Sequence, residues 1–146
     1  MSMETQELHR GRLIDHLHLV VADLEASHAF YSAVLDALGV PVGGRGEDWF
    51  WADELFVSSA DSQAAQGTLT GRQHFAFQAD NRERVQAFHA AALAAGGRDN
   101  GPPGERPYHP GYYAAFVLDP DGNNVEAVYH GPARRSAASV HITFDD

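Results

Sequence analysis

The chain has 146 residues, the length of one ordinary domain, and its apolar fraction of 44% suits a packed interior rather than a membrane protein. It contains no cysteine, which excludes disulfides, thiolate catalysis and cysteine-held zinc and leaves any metal to His, Asp or Glu. A formal net charge of −10 argues against nucleic acid as a partner, since phosphate contacts need a basic surface, and it suits a cationic ligand.

Residues 1–12, MSMETQELHRGR, are polar, lack the hydrophobic stretch of a secretory signal, and are expected to be flexible in a cytoplasmic protein. No apolar run approaches the ~20 residues needed to cross a bilayer. DHLHLVV then alternates, with His16, His18 and Val20 on one face of a strand and Leu17, Leu19 and Val21 on the other. Asp23 stands where a carboxylate can cap a helix over 24–38, whose apolar stripe is Leu24, Phe30, Tyr31, Val34, Leu35 and Leu38. Gly39 follows it, where a left-handed residue ends a helix. Strands are predicted over 49–51 and 55–58 around an Ala52-Asp53 turn, and the Trp49-Phe50-Trp51 cluster fits a pocket, a subunit seam or core packing.

Residues 60–71 read as loop, and HFAFQAD opens the next strand. Its Phe75 and Phe77 share one face, and His74, Ala76 and Gln78 the other. A second helix is predicted over 82–95 with Val85, Phe88, Ala92 and Leu93 as its stripe, closed by Gly96-Gly97. DNGPPGERPYHPG, residues 99–111, holds four prolines and three glycines and reads as a loop. Strands over 112–118 and 124–130 flank Asp119-Pro120-Asp121-Gly122, where Pro presets φ and Gly takes the positive φ of a turn. The tail, residues 132–146, ends in SVHITF, which alternates and could add an edge strand.

The two halves repeat. Moving 73–98 back by 58 positions lays His74 on His16, Ala87-Phe88 on Ala29-Phe30 and Gly97 on Gly39, while Asp80 misses Asp23 by one. The plan is strand–helix–strands twice, an α+β domain over 13–131 built of two βαβββ modules at about 13–60 and 72–131. A module of that size buries too little surface to stand alone, whereas two together can enclose a core and a cleft.

In the last strand Asn124, Glu126 and Val128 share a face. A carboxylate in mid-strand needs a reason, because burying it unpaired is costly. Two imidazoles, from His16 or His18 and from His74, converging with Glu126 would provide one by binding Zn, Ni, Co, Mn or Fe. Three protein ligands leave positions open, as in a catalytic site. The competing reading is a satisfied residue on an exposed sheet face.

DHLHLVVADLEASHAFY, QHFAFQAD and FVLDPDGNNVEAV together resemble the vicinal oxygen chelate superfamily over most of 13–131. That superfamily includes glyoxalase I, fosfomycin-resistance thiol transferases, extradiol dioxygenases and bleomycin-resistance proteins. The resemblance implies a glyoxalase-like fold, with mixed sheets forming a cleft-bearing half-barrel, and a divalent metal held by His16, His74 and Glu126. It also implies a homodimer with a small-molecule substrate or drug as its ligand. Glu54 is the nearest match to the fourth ligand of glyoxalase I, but it falls in a turn. His18 lines the pocket as an acid–base group or a filler. Tyr108, His109, Tyr112 and Tyr113 are candidates for proton transfer, with Tyr113 taken for that role, or else lid and packing groups. The implied functions are a metalloenzyme of lyase, isomerase or transferase type, or a metal-free drug-sequestering protein, with ring-cleaving dioxygenase ranked behind both.

Overall fold

The computed structural model describes residues 7–65 and 67–144. A short strand β1 (Glu7–Arg10) precedes the first module, which runs β2 (Leu17–Val21), α1 (Leu24–Ala37), β3 (Gly44–Arg45), β4 (Trp49–Ala52) and β5 (Leu55–Ser59). The second module repeats it as β6 (His74–Gln78), α2 (Arg82–Ala94), β7 (Arg98–Glu105), β8 (Tyr113–Leu118) and β9 (Asn124–Tyr129), and β10 (Val140–Thr143) follows. The modules form four-stranded sheets of matching order, β2-β5-β4-β3 and β6-β9-β8-β7. Each first strand lies at a sheet edge, parallel to the module's last strand, and the remaining pairs are antiparallel.

Both helices start on a capping side chain. The Asp23 carboxylate accepts the Ala26 N–H at 3.1 Å, and the Asn81 amide oxygen accepts that of Arg84 at 2.8 Å. The cap of the second helix is thus Asn81 rather than Asp80, and with it the apparent one-residue slip of the repeat disappears. The stripes expected of the helices are buried, with Phe30, Tyr31 and Val34 of α1 and Val85, Phe88 and Ala92 of α2 fully enclosed. Leu24 is half-buried, and Leu93 is exposed.

One hydrophobic cluster joins the modules. It takes in Leu19, Phe50 and Val57 of the first sheet, Ala115, Val117 and Val125 of the second, and both helix stripes, with Phe75 and Phe77 packed against its edge. No strand of one sheet pairs with a strand of the other, so within a chain the modules are joined through their helices and core, and each sheet keeps its other face outside that core. Gly97 marks how closely the modules meet. An added Cβ there would lie 2.6 Å from Phe30 Cε1, 2.9 Å from the Ala92 oxygen and 3.2 Å from the Leu118 oxygen. Gly97→Ala is therefore expected to lose about 1–3 kcal/mol by overpacking, read as an earlier thermal melt. An unchanged melt would show that Phe30 and the backbone give way freely.

Two segments differ from the sequence reading. The proline- and glycine-rich stretch expected as a loop begins with β7. β7 is an edge strand, where the missing N–H groups of Pro102 and Pro103 are tolerable, and its register on β8 shifts between Asp99 and Gly101 and again between Gly101 and Gly104. Within the N-terminal stretch expected to be flexible, Glu7–Arg10 forms β1, and residues 1–6 lie outside the described residues. The partner of β1 is β10, which gives the alternating tail a place: the two make a separate antiparallel ribbon. No helix among the described residues is long and apolar enough to cross a membrane.

Candidate functional site

The turn between β8 and β9 fixes which side chains meet on the open face of the second sheet. Asp119 N donates to Asn123 O at 3.0 Å, so Leu118 faces Asn124 and Phe116 faces Glu126. Alternation then places Tyr112, Ala114 and Phe116 on the Glu126 side of the sheet. Glu126 is buried, at 3% exposure. One of its carboxylate oxygens lies 3.2 Å from His74 Nε2, and the other accepts the Tyr112 hydroxyl. His74 Nδ1 donates to the Asn124 carbonyl at 2.9 Å, and its ring stacks on Phe116. With that nitrogen committed as a donor, the neutral imidazole turns the lone pair of Nε2 towards a carboxylate oxygen. Only a proton or a cation between the two makes that contact attractive. A ligating histidine whose second nitrogen donates to a backbone carbonyl has this same arrangement.

Tyr112 is enclosed by aromatic neighbours, with Tyr108, His109 and His130 each meeting it edge to face. Burial first, and then the hydrogen bond to Glu126, push its phenol well above the usual range, so it acts as a donor. His109 Nδ1 donates to the Pro110 carbonyl at 3.0 Å, and its Nε2 lies 2.9 Å from His130 Nδ1. In neutral rings, His130 is therefore the donor of that pair.

Tyr113, expected at the site, is on the opposite face. Its hydroxyl accepts from Gln86 Nε2 at 3.0 Å and the Arg82 guanidinium covers its ring at 4.5 Å, so it belongs to the α2 packing. The tyrosine at the carboxylate is its neighbour Tyr112. The signal was in the sequence: counting outward from the DPDG turn puts Phe116 opposite Glu126, and even spacing from Phe116 reaches 112 rather than 113.

On the first module, His16 stands one residue ahead of β2, exposed, with Nδ1 held by the Asp15 carboxylate at 2.7 Å. That bond holds Asp15 below the usual carboxylate range. His18 lies on the open face, 2.8 Å from Ser58 Oγ and edge-on to Phe56. Burial, then the charge of His16, lowers its imidazole below the ordinary value, so it is neutral at pH 7. Trp49, Trp51 and Phe56 share this face, while Phe50 is enclosed in the core. Glu54 is at the β4–β5 turn, half-buried, and burial raises its carboxyl. Within one chain His74 and Glu126 meet, but His16 does not join them. Among the described residues the one group of three metal-competent side chains within 4.8 Å of one another is Glu7, His9 and His141.

Residues 13–127 match the family model of the glyoxalase/bleomycin resistance protein/dioxygenase superfamily. The chain belongs to that superfamily. Among solved members, a glyoxalase/bleomycin resistance protein from Albidiferax ferrireducens is 31% identical, covering 80% of this chain and 98% of its own at a TM-score of 0.66. A glyoxalase-related enzyme from Fulvimarina pelagi is 20% identical over 92% of this chain and 99% of its own, with a TM-score of 0.67. The lactoylglutathione lyase of Agrobacterium tumefaciens is 22% identical over 80% of this chain and 92% of its own, with a TM-score of 0.57. The last two establish the glyoxalase-like fold alone. No curated protein matches the chain.

Proposed function

We propose that this superfamily member is a metal-dependent enzyme of lyase, isomerase or transferase type. In this reading its site takes His74 and Glu126 from one copy and His16 from a second, and binds a small oxygen-rich substrate. The observation that carries the reading is the buried Glu126 carboxylate, 3.2 Å from an imidazole nitrogen whose partner nitrogen is already engaged as a donor. The donor set of imidazole nitrogen and carboxylate oxygen suits Zn, Ni, Co, Mn or Fe. The sharing between copies is supported by the two open sheet faces and by the absence of His16 from its own chain's His74–Glu126 pair. A homodimer joining unlike modules would complete two equal sites.

A bound divalent ion would supply Lewis-acid polarisation of two neighbouring substrate oxygens. Glu126 and His74 hold their orientation through Tyr112 and the Asn124 carbonyl. Tyr112, with its phenol proton firmly held, serves as a donor to the carboxylate rather than as a base. His18, neutral and beside His16, is the group able to accept a proton from bound substrate.

The test is elemental analysis of protein purified without chelators. In a parent chain carrying His9→Ala and His141→Ala, so that the other cluster of metal-competent side chains adds nothing, about one ion per chain is expected, and a further His16→Ala or Glu126→Ala should leave close to none. Co-expressed as a mixed dimer, those two variants should recover half the metal of the parent, because one of the two shared sites is intact. An empty parent sinks the metal reading, and a mixed dimer that stays empty sinks the shared site. Assays with hemithioacetals, with fosfomycin and thiols, and with catechols would separate the reaction classes.

A second reading, sequestration of a cationic drug without metal, is favoured by the stacked Trp49 and Phe56 rings on the open face and by the net charge of −10. It predicts cation binding by chelator-treated protein that Glu126→Ala leaves unchanged.

A further inference from the structure

A set of side chains far from Glu126 has the composition of a metal site. The β1–β10 ribbon pairs Glu7 with Thr143 and His9 with His141, so strand alternation puts Glu7, His9 and His141 on one of its faces. The imidazoles of His9 and His141 meet edge to face with centroids 4.7 Å apart. The Glu7 carboxylate lies between them, one oxygen 2.7 Å from His141 Nδ1 and the other 3.8 Å from His9 Nε2. The ligand atoms of all three fall within 4.8 Å of one another. A second feature aims the set: His9 Nδ1 is held at 2.9 Å by the Ser139 hydroxyl, which leaves Nε2 directed at Glu7. Metal-ligating histidines are oriented in this way, through the nitrogen that does not bind the ion.

We propose that Glu7, His9 and His141 bind a divalent cation of the zinc, nickel, cobalt or copper class, and that this ion clips the two ends of the described chain together. Two imidazoles and a carboxylate are the borderline donors that such ions select over magnesium or calcium. The ribbon has reason to need a clip. It is two strands of four residues in a sheet of its own, and an isolated two-stranded ribbon is marginal in water. Its described ties to the body include the Arg10 guanidinium, which donates to the Asp53 carbonyl at 2.6 Å. An ion bridging His9 to His141 closes a loop of well over a hundred residues, where a cross-link removes the most chain entropy. The ligands are partly exposed, with side-chain accessibilities between 39% and 53%, so the ion can enter and leave from solvent. The clip is independent of the Glu126 reading.

The experiment uses the full chain carrying Glu126→Gln, which silences the other candidate site. Zinc is titrated in by calorimetry, and amide exchange across β1 and β10 is followed with and without it. One saturable zinc per chain is expected, with slower exchange at both strands. His9→Ala or His141→Ala should each weaken binding by at least about tenfold and abolish that protection. His89→Ala, a half-buried histidine paired with Asp99 elsewhere, should change neither. Absence of saturable binding overturns the proposal, as does binding that survives His9→Ala and His141→Ala together. Circular dichroism confirms that the exposed substitutions leave the fold intact. Cobalt substitution gives a second readout, since loss of either imidazole should alter its visible spectrum.

Discussion

Asp119→Ala is expected to destabilise the chain by about 4 kcal/mol, a large part of what holds a domain of this size folded. The carboxylate is buried at 3% exposure and accepts four hydrogen bonds. One oxygen takes the N–H groups of Asp121 and Asn123 at 2.9 and 2.8 Å, and the other takes the Asn123 amide at 2.9 Å and the Tyr31 hydroxyl. Alanine strands all four donors. Two consequences reach beyond the turn. Asn123 also accepts the Gln73 N–H at 2.8 Å, so the entry to β6 is held through it. Tyr31 belongs to α1 in the other module, and its phenol, pushed well above the usual range by burial and then by Asp119, has no water to turn to. Asp119→Asn keeps one acceptor and should lose about 1–2 kcal/mol. Denaturant titrations of both variants check the order, and an alanine variant within 1 kcal/mol of wild type would show that water refills the turn.

Glu126→Leu is expected to act in opposite directions on stability and on function. A buried carboxylate held only by a phenol and an imidazole is dearer to fold than an apolar side chain of similar volume, so the variant should gain about 1–3 kcal/mol. His74 is exposed and Tyr112 only part-buried, so both former partners can turn to water. Metal retention at this site, read in a chain that also carries His9→Ala and His141→Ala, should fall by at least about 100-fold. Melting of chelator-treated protein, where bound metal adds nothing to the wild type, tests the first half, and elemental analysis of untreated protein the second. A variant that melts clearly below wild type would mark Glu126 as a structural residue and weaken the functional assignment.

The repeat carried most of the fold in its sequence, because helix stripes, capping residues and the DPDG turn are local signals that packing then reinforces. Asp23 and Asn81 even keep the repeat in step where Asp80 did not. β7 was hidden because prolines and glycines remove the alternation by which a strand is recognised, and only its position at a sheet edge makes them tolerable. β1 is hidden for another reason: a four-residue stretch with one apolar side chain, Leu8, becomes a strand only when β10, far along the chain, pairs with it. Strand parity puts His74 and Glu126 on faces from which the two can meet, and in the structure they lie 3.2 Å apart. The choice between the candidates Tyr112 and Tyr113 depends on pairing register, which the turn sets and the side chains alone do not, and that register puts Tyr112 beside Glu126. The distance of His16 from its chain mates could not be read at all, because it depends on how two modules are placed in space.

The two tryptophans of the chain are both in β4, where Gly43 and Gly44 lie on the Trp51 ring and Gly46 on that of Trp49. Intrinsic fluorescence is therefore an optical probe of the first module alone. The second contributes no indole but four of the five tyrosines, which add to the near-ultraviolet dichroism beside the signals of the first. Because a single apolar cluster runs through both halves, the two signals should trace one transition. A gap between them would time the parting of the halves, from the light that one of them emits and the other lacks.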